Sequence, residues 1–242
     1  SLIAAIPVYI LLCLLTVLTP GMTLTIVGVL AIIANICYSQ ELTMIAVKEA
    51  GTEDKGRIAK EQPEDYKTAI YSSWTDNRTV LIGEGKKETN NLKIDYVKDG
   101  YDLDTVRFPK KEKDLHIFDI DEQISKDAAA GIRKDAPDLS WVYLWYTDDA
   151  GHIAGNSAFF DEYVRKADNQ VARIWEAVKY REANFDEEWM IIVTTDHGRG
   201  ENGHGHGGQS ERERTTWIST NVPVNNHFKA GGLAITDIAP SI

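Results

Sequence analysis

Two apolar runs in the second half of the chain carry its strongest pattern. Residues 189–195 (Trp-Met-Ile-Ile-Val-Thr-Thr) read as a strand buried on both faces, and they end abruptly in Asp196-His197-Gly198. Residues 140–147 form a second strand of this kind, preceded by Pro137 and running into Asp148-Asp149-Ala150-Gly151-His152. Between them, residues 157–181 place Phe160, Val164, Ala167, Val171, Ile174 and Val178 at three- and four-residue spacing, which predicts an amphipathic helix. Asn156 or Ser157 suits its N-cap. Strand, helix and strand at this spacing make a βαβ unit, so the two strands are expected side by side and parallel. The fold class that follows is α/β: a mostly parallel sheet flanked by helices.

The remaining pattern is weaker. Residues 66–73 look like a strand followed by a turn-prone Thr75-Asp76-Asn77-Arg78. Residues 79–100 mix short apolar pieces with Gly, Asn and Lys and read as a surface excursion. Residues 119–134 predict a helix with Ile120, Ile124, Ala128 and Ile132 on one face. A short strand at 215–219 and a final segment at 233–240 complete this part.

The amino end differs in kind. Residues 1–40 contain no Asp, Glu, Lys, Arg or His. The runs 2–19 and 22–37 flank Pro20-Gly21, so this stretch reads as a hairpin of two short spans or one long kinked segment. A pair of buried helices is the soluble alternative. No basic region precedes it, which makes it a poor signal peptide. The expected organisation is a hydrophobic helical, membrane-associated segment over 1–47, a charged linker over 48–65 and an α/β domain over 66–242, with an extracytoplasmic or membrane-bound location.

A formal net charge of −11 argues against a nucleic-acid duplex as partner. Cys13 and Cys37 offer neither metal-site spacing nor a disulfide framework. Histidine is the informative residue, because His197, His204 and His206 fall within ten positions of one another.

With the two strong strands side by side, Asp148 and His152 leave the carboxyl end of one and Asp196 and His197 leave the same end of the other. Carboxylate oxygens and neutral imidazoles are ligands for zinc and similar divalent ions. Gly198, Gly200, Gly203, Gly205, Gly207 and Gly208 let the following loop turn so that an imidazole can point back. Taken singly, an Asp-Gly is a turn and an exposed His is solvated; jointly, at neighbouring strand ends, these residues point to a metal platform. Asp149 is the bystander, since Asp148 has the four-residue spacing to His152.

Asp148-x-x-Gly151-His152-x-x-Gly155, then Asp196-His197-Gly198, then Gly205-His206-Gly207, resembles the alkaline phosphatase superfamily. The likeness is greatest to its type I phosphodiesterase/nucleotide pyrophosphatase branch, and it covers about residues 66–242. The resemblance implies an α/β/α sandwich and two zinc ions, with Asp148, His152 and His206 on one site and Asp196 and His197 on the other. His204 is the alternative to His206. Gln209, Ser210, Glu211 and Arg212 would be outer contacts to metal or phosphate, or simply the start of a surface helix. It further implies a phosphorylated small-molecule or nucleotide-type substrate and in-line attack by a Thr or Ser nucleophile.

That nucleophile, and the Asp-ended strand that precedes it in the family, are not visible in this sequence. The hydrophobic stretch is expected to stand in their place. Rival expectations are a sulfatase, although neither cysteine lies in a Cys-x-Pro-x-Arg context, a phosphoethanolamine-type transferase, and a metal-binding remnant without turnover.

Overall fold

Leu42–Ala50 forms a nine-residue strand, β1, which begins directly after Ser39-Gln40-Glu41 and takes in the end of the expected hydrophobic segment. In the computed structural model of the protein, the residues described are 42–50, 66–223, 226–229 and 238. The apolar run 1–40, both cysteines and most of 233–240 lie outside them. No helix among the described residues is long and apolar enough to cross a membrane.

Five more strands follow: β2 (Thr68–Ser72), β3 (Tyr96–Lys98), β4 (Leu139–Leu144), β5 (Glu187–Thr195) and β6 (Ile218–Thr220). The long helices are α1 (Leu115–Asp135), α2 (Tyr146–Ala154) and α3 (Ala158–Asn184), with short turns α4 (Glu211–Arg214) and α5 (Asn226–Lys229). The sheet order is β3-β2-β4-β1-β5-β6. β3, β2 and β4 form its parallel part, flanked by helices as the α/β reading expects.

One expectation is corrected. β4 and β5 point the same way but are not neighbours, because β1 lies between them and runs antiparallel to both. Leu42 faces Leu144 on one side and Thr195 on the other, so β1 begins where its two neighbours end. Its pairing is anchored at the far end by Lys48, whose Nζ lies 3.0 Å from Asp138 Oδ1 and donates to the Ala136 carbonyl. The expectation of a hydrophobic segment over 1–47 absorbs the run 42–47, although Ser39-Gln40-Glu41 divides it from the apolar block before it.

The strand period of two sorts the core. Ala69, Tyr71, Val142, Leu144 and Ile191 meet α1, α2 and α3, whereas Ile70, Trp141, Tyr143 and Ile192 face Ile82, Leu92 and Ile238. Residues 79–100 are therefore more than a surface excursion. A π-helical turn at Asn77–Ile82 delivers Ile82 to the core, Leu92 follows it, and β3 extends the sheet. Arg78 holds this segment together through Asp99 at 2.6 Å and Glu84 at 2.8 Å.

β4 stops at Leu144, short of the expected Thr147, because the backbone turns helical at Trp145 and α2 begins. The first turn of α2 has no cap of its own side chains. Asp121 of α1 supplies one, accepting hydrogen bonds from the Trp145 amide at 3.0 Å and the Tyr146 amide at 2.8 Å. The same carboxylate accepts from the Ser73 hydroxyl, so one buried acid ties β2, α1 and α2 together.

Burial pushes the Asp121 carboxyl up to about 7, against the pull of the Ser73 hydroxyl and the two amides. A carboxyl raised in the folded state stabilises fully below its unfolded value near ~4, and that stability is lost as pH rises through the folded value. Asp121→Asn removes the titration. The stability advantage of the parent over this variant should shrink between about pH 4 and about pH 7 and stay flat above, read as urea denaturation free energies. An advantage that grows over that range would contradict this cap.

Candidate metal centre

The expected ligands do not all leave strand ends. Asp148 and His152 sit one turn apart on α2, which puts both on the same helix face and brings His152 Nε2 to 3.2 Å from Asp148 Oδ2. Asp196 and His197 follow β5, which ends at Thr195, and the backbone bends at Asp196. His197 turns toward α2, while Asp196, 2% exposed, has Oδ1 3.9 Å from His197 Nε2.

His206 closes the arrangement. Its ring stacks on that of His197 with centroids 4.4 Å apart, and its Nε2 lies 2.9 Å from His152 Nε2. Asp148, His197 and His206 offer ligand atoms that all lie within 4.8 Å of one another, a group that could hold a metal ion. His152 borders this group through Asp148 and His206, and Asp196 through His197. His204 stands apart, with Nδ1 3.0 Å from the His152 carbonyl.

The donor chemistry fits a cation. His197 Nδ1 lies 2.5 Å from the Gly198 carbonyl, which can only accept, so Nδ1 carries the proton and Nε2 the lone pair. That Nε2 is buried and makes no hydrogen bond. Burial lowers the His197 pKa, and burial with the neighbouring His197 and His152 rings lowers that of His206 to about 4. Both imidazoles are thus neutral at pH 7, the form that a cation can bind. Burial raises the Asp148 pKa, opposed by Arg199 and His152. Asp149, the expected bystander, is pushed up to about 7 by burial and by the adjacent Asp148 carboxylate.

The loop after β5 is docked, and its glycines serve close approach more than sharp turning. Asn156 donates from its amide to the Asn202 carbonyl at 3.1 Å and from its side chain to the Glu201 carbonyl at 2.6 Å. Ser157 is the N-cap of α3, which frees Asn156 for this role. A Cβ on Gly203 would lie 2.5 Å from Asn156 Oδ1 and 2.6 Å from its amide nitrogen. One on Gly155 would overlap the Asn202 carbonyl, and one on Gly198 the Arg212 carbonyl.

Of the two readings of residues 209–212, the helix start is what forms. Ser210 caps α4 and makes a capping box with Glu213. Arg212 nevertheless braces the loop, donating to Asn156 Oδ1 at 2.9 Å and to the Glu201 carbonyl at 2.9 Å. Arg199 was not anticipated, although it directly follows Asp196-His197-Gly198. It forms an ion pair with Asp148 at 2.8 Å. A groove of about 1020 Å³ opens beside these groups, lined by Asp148, His197 and Arg199 at one side and by Phe160, Val171 and Trp217 elsewhere.

Gly203→Ala tests the docking. The residue has φ +76°, so alanine adds backbone strain of roughly 1 kcal/mol to the contact with Asn156. Amide exchange at Asn156 should accelerate at least about tenfold, the factor that corresponds to 1.4 kcal/mol, while β4 amides keep their protection. Unchanged exchange at Asn156 would show that the loop is not held there.

No curated protein and no solved structure matches the chain. A family model does, that for type I phosphodiesterase/nucleotide pyrophosphatase, and it matches residues 51–220. The match takes in β2 to β6, α1 to α3, both Asp-His motifs and His206, which is the region that builds the candidate centre. The chain therefore belongs to the type I phosphodiesterase/nucleotide pyrophosphatase family, within the alkaline phosphatase superfamily, and by that resemblance is a phosphoester hydrolase.

Proposed function

We propose that the protein hydrolyses phosphodiester or pyrophosphate bonds with the help of zinc, held by Asp148, His152 and His206 on one side and by Asp196 and His197 on the other. The observation that carries this reading is the convergence of Asp148, His197 and His206 ligand atoms within 4.8 Å, beside a buried His197 Nε2 that has no hydrogen bond. Nitrogen and oxygen donors of this kind suit zinc, and neutral imidazoles suit it best. Divalent ions bound there would neutralise charge on a transferring phosphoryl group and lower the pKa of coordinated water.

The chain's own residues prepare that chemistry. Hydrogen bonding to Gly198 fixes the His197 tautomer, so no proton must be expelled from Nε2 before it ligates. The proton shared by the His152 and His206 Nε2 atoms is the one that must leave or move to Nδ1. The groove is large enough for the organic part of a nucleotide or a comparable phosphorylated small molecule. The uncharged residues 1–40 support a membrane-associated setting for this domain.

Zinc titration combined with hydrolysis of bis-p-nitrophenyl phosphate tests the assignment. The parent chain should bind zinc, turn the diester over, and lose turnover on chelation and regain it with zinc. Asp148→Ala and His206→Ala should each weaken zinc by more than the roughly 10–100-fold typical of a lost outer partner. Zinc binding without turnover of any phosphoester would sink the hydrolase reading, and unaltered zinc affinity in both variants would sink the ligand assignment.

A further inference from the structure

The guanidinium of Arg199 is the most completely engaged charged group beside the candidate centre. Its Nη1 donates to Asp148 Oδ1 at 2.8 Å, its Nη2 to the Asp148 carbonyl at 2.7 Å, and its Nε to the Gly203 carbonyl at 2.8 Å. The side chain is 13% exposed and the carboxylate it meets 8%. It therefore spans two segments: α2, which carries Asp148 and His152, and the loop, which carries His206. Gly151 leaves the room it needs, since a Cβ there would overlap the guanidinium.

We propose that Arg199 is a positioning residue for the metal centre, tying the His206 loop to α2 and occupying Asp148 Oδ1 so that this carboxylate offers a cation only Oδ2. The proposal rests on the reading of Asp148, His152 and His206 as ligands. Oδ2 is the oxygen already 3.2 Å from His152 Nε2. A carboxylate limited to one oxygen suits a four-coordinate zinc site. Ions that favour oxygen ligands at higher coordination number, such as Mn²⁺, gain less from it. A positive charge near the centre also opposes every dication. That electrostatic effect is common to Zn²⁺ and Mn²⁺ and cancels in the ratio of their affinities, whereas the geometric effect does not.

Two charge-preserving variants separate the effects. Arg199→Lys keeps the charge and loses the planar fork. Gly151→Ala keeps Arg199 itself and displaces the end of a flexible side chain, while alanine improves helix propensity, so α2 is retained. Zn²⁺ and Mn²⁺ affinities of the full chain, measured by calorimetry, should show the Zn²⁺-to-Mn²⁺ ratio falling roughly tenfold in both variants. Amide exchange across residues 200–206 should accelerate in both. If Arg199→Lys fails to fold, Gly151→Ala carries the test alone. An unchanged ratio in the folded variants would overturn the proposal. A parent chain that binds neither ion would instead sink the ligand reading beneath it, and that result is visible before any variant is made.

Discussion

The arrangement of the candidate centre depends on one strand running the other way. Neighbouring strands are about 4.8 Å apart, so β1 holds β4 and β5 roughly 10 Å from each other. Side chains leaving the two strand ends directly would be separated by that gap. The chain closes it from both sides. Past β4 it turns at once into α2, which carries Asp148 and His152, and past β5 it folds the glycine-rich loop back toward that helix. The amino end of β1, at Leu42, lies at the edge where both neighbours finish. Directional agreement of β4 and β5, more than adjacency, is what brings their motifs to a common edge.

Two kinds of interaction then hold that edge. Asp121 satisfies the first amides of α2 from a neighbouring helix and fixes where Asp148 begins its turn. Asn156 and Arg212 bind the Glu201 carbonyl of the loop, and Arg199 joins the loop to α2 by donating to the Asp148 carboxylate and carbonyl as well as to the Gly203 carbonyl. These bonds are short because Gly151, Gly155 and Gly203 remove the Cβ atoms that would keep the segments apart. The electrostatic result is an Asp148 carboxyl group paired with Arg199 beside His197 and His206, whose pKa values burial lowers.

Much of this was legible from residue spacing. The β4 and β5 runs, α3 with its Ser157 cap and the four-residue step from Asp148 to His152 are local patterns, and local patterns survive folding. The His-Gly context favours His206 over His204, and the structure brings His206 into the group that could hold a metal. Other features depend on long-range contacts. β1 is a short apolar run close behind a much longer apolar block, and nothing local marks a strand as antiparallel to partners about a hundred or more residues away. The helical form of α2 depends on Asp121, which is distant in sequence. Arg199 looked like one more loop cation, and its engagement with Asp148 appears only once α2 and the loop are packed together.

The central claim is that these side chains together hold a metal ion. X-ray absorption at the zinc edge of the zinc-loaded chain tests it most directly. The account predicts a shell of nitrogen and oxygen atoms alone at about 2.0–2.2 Å, with the outer scattering of at least two imidazole rings. A sulfur atom near about 2.3 Å, or an oxygen-only shell without imidazole scattering, would contradict it.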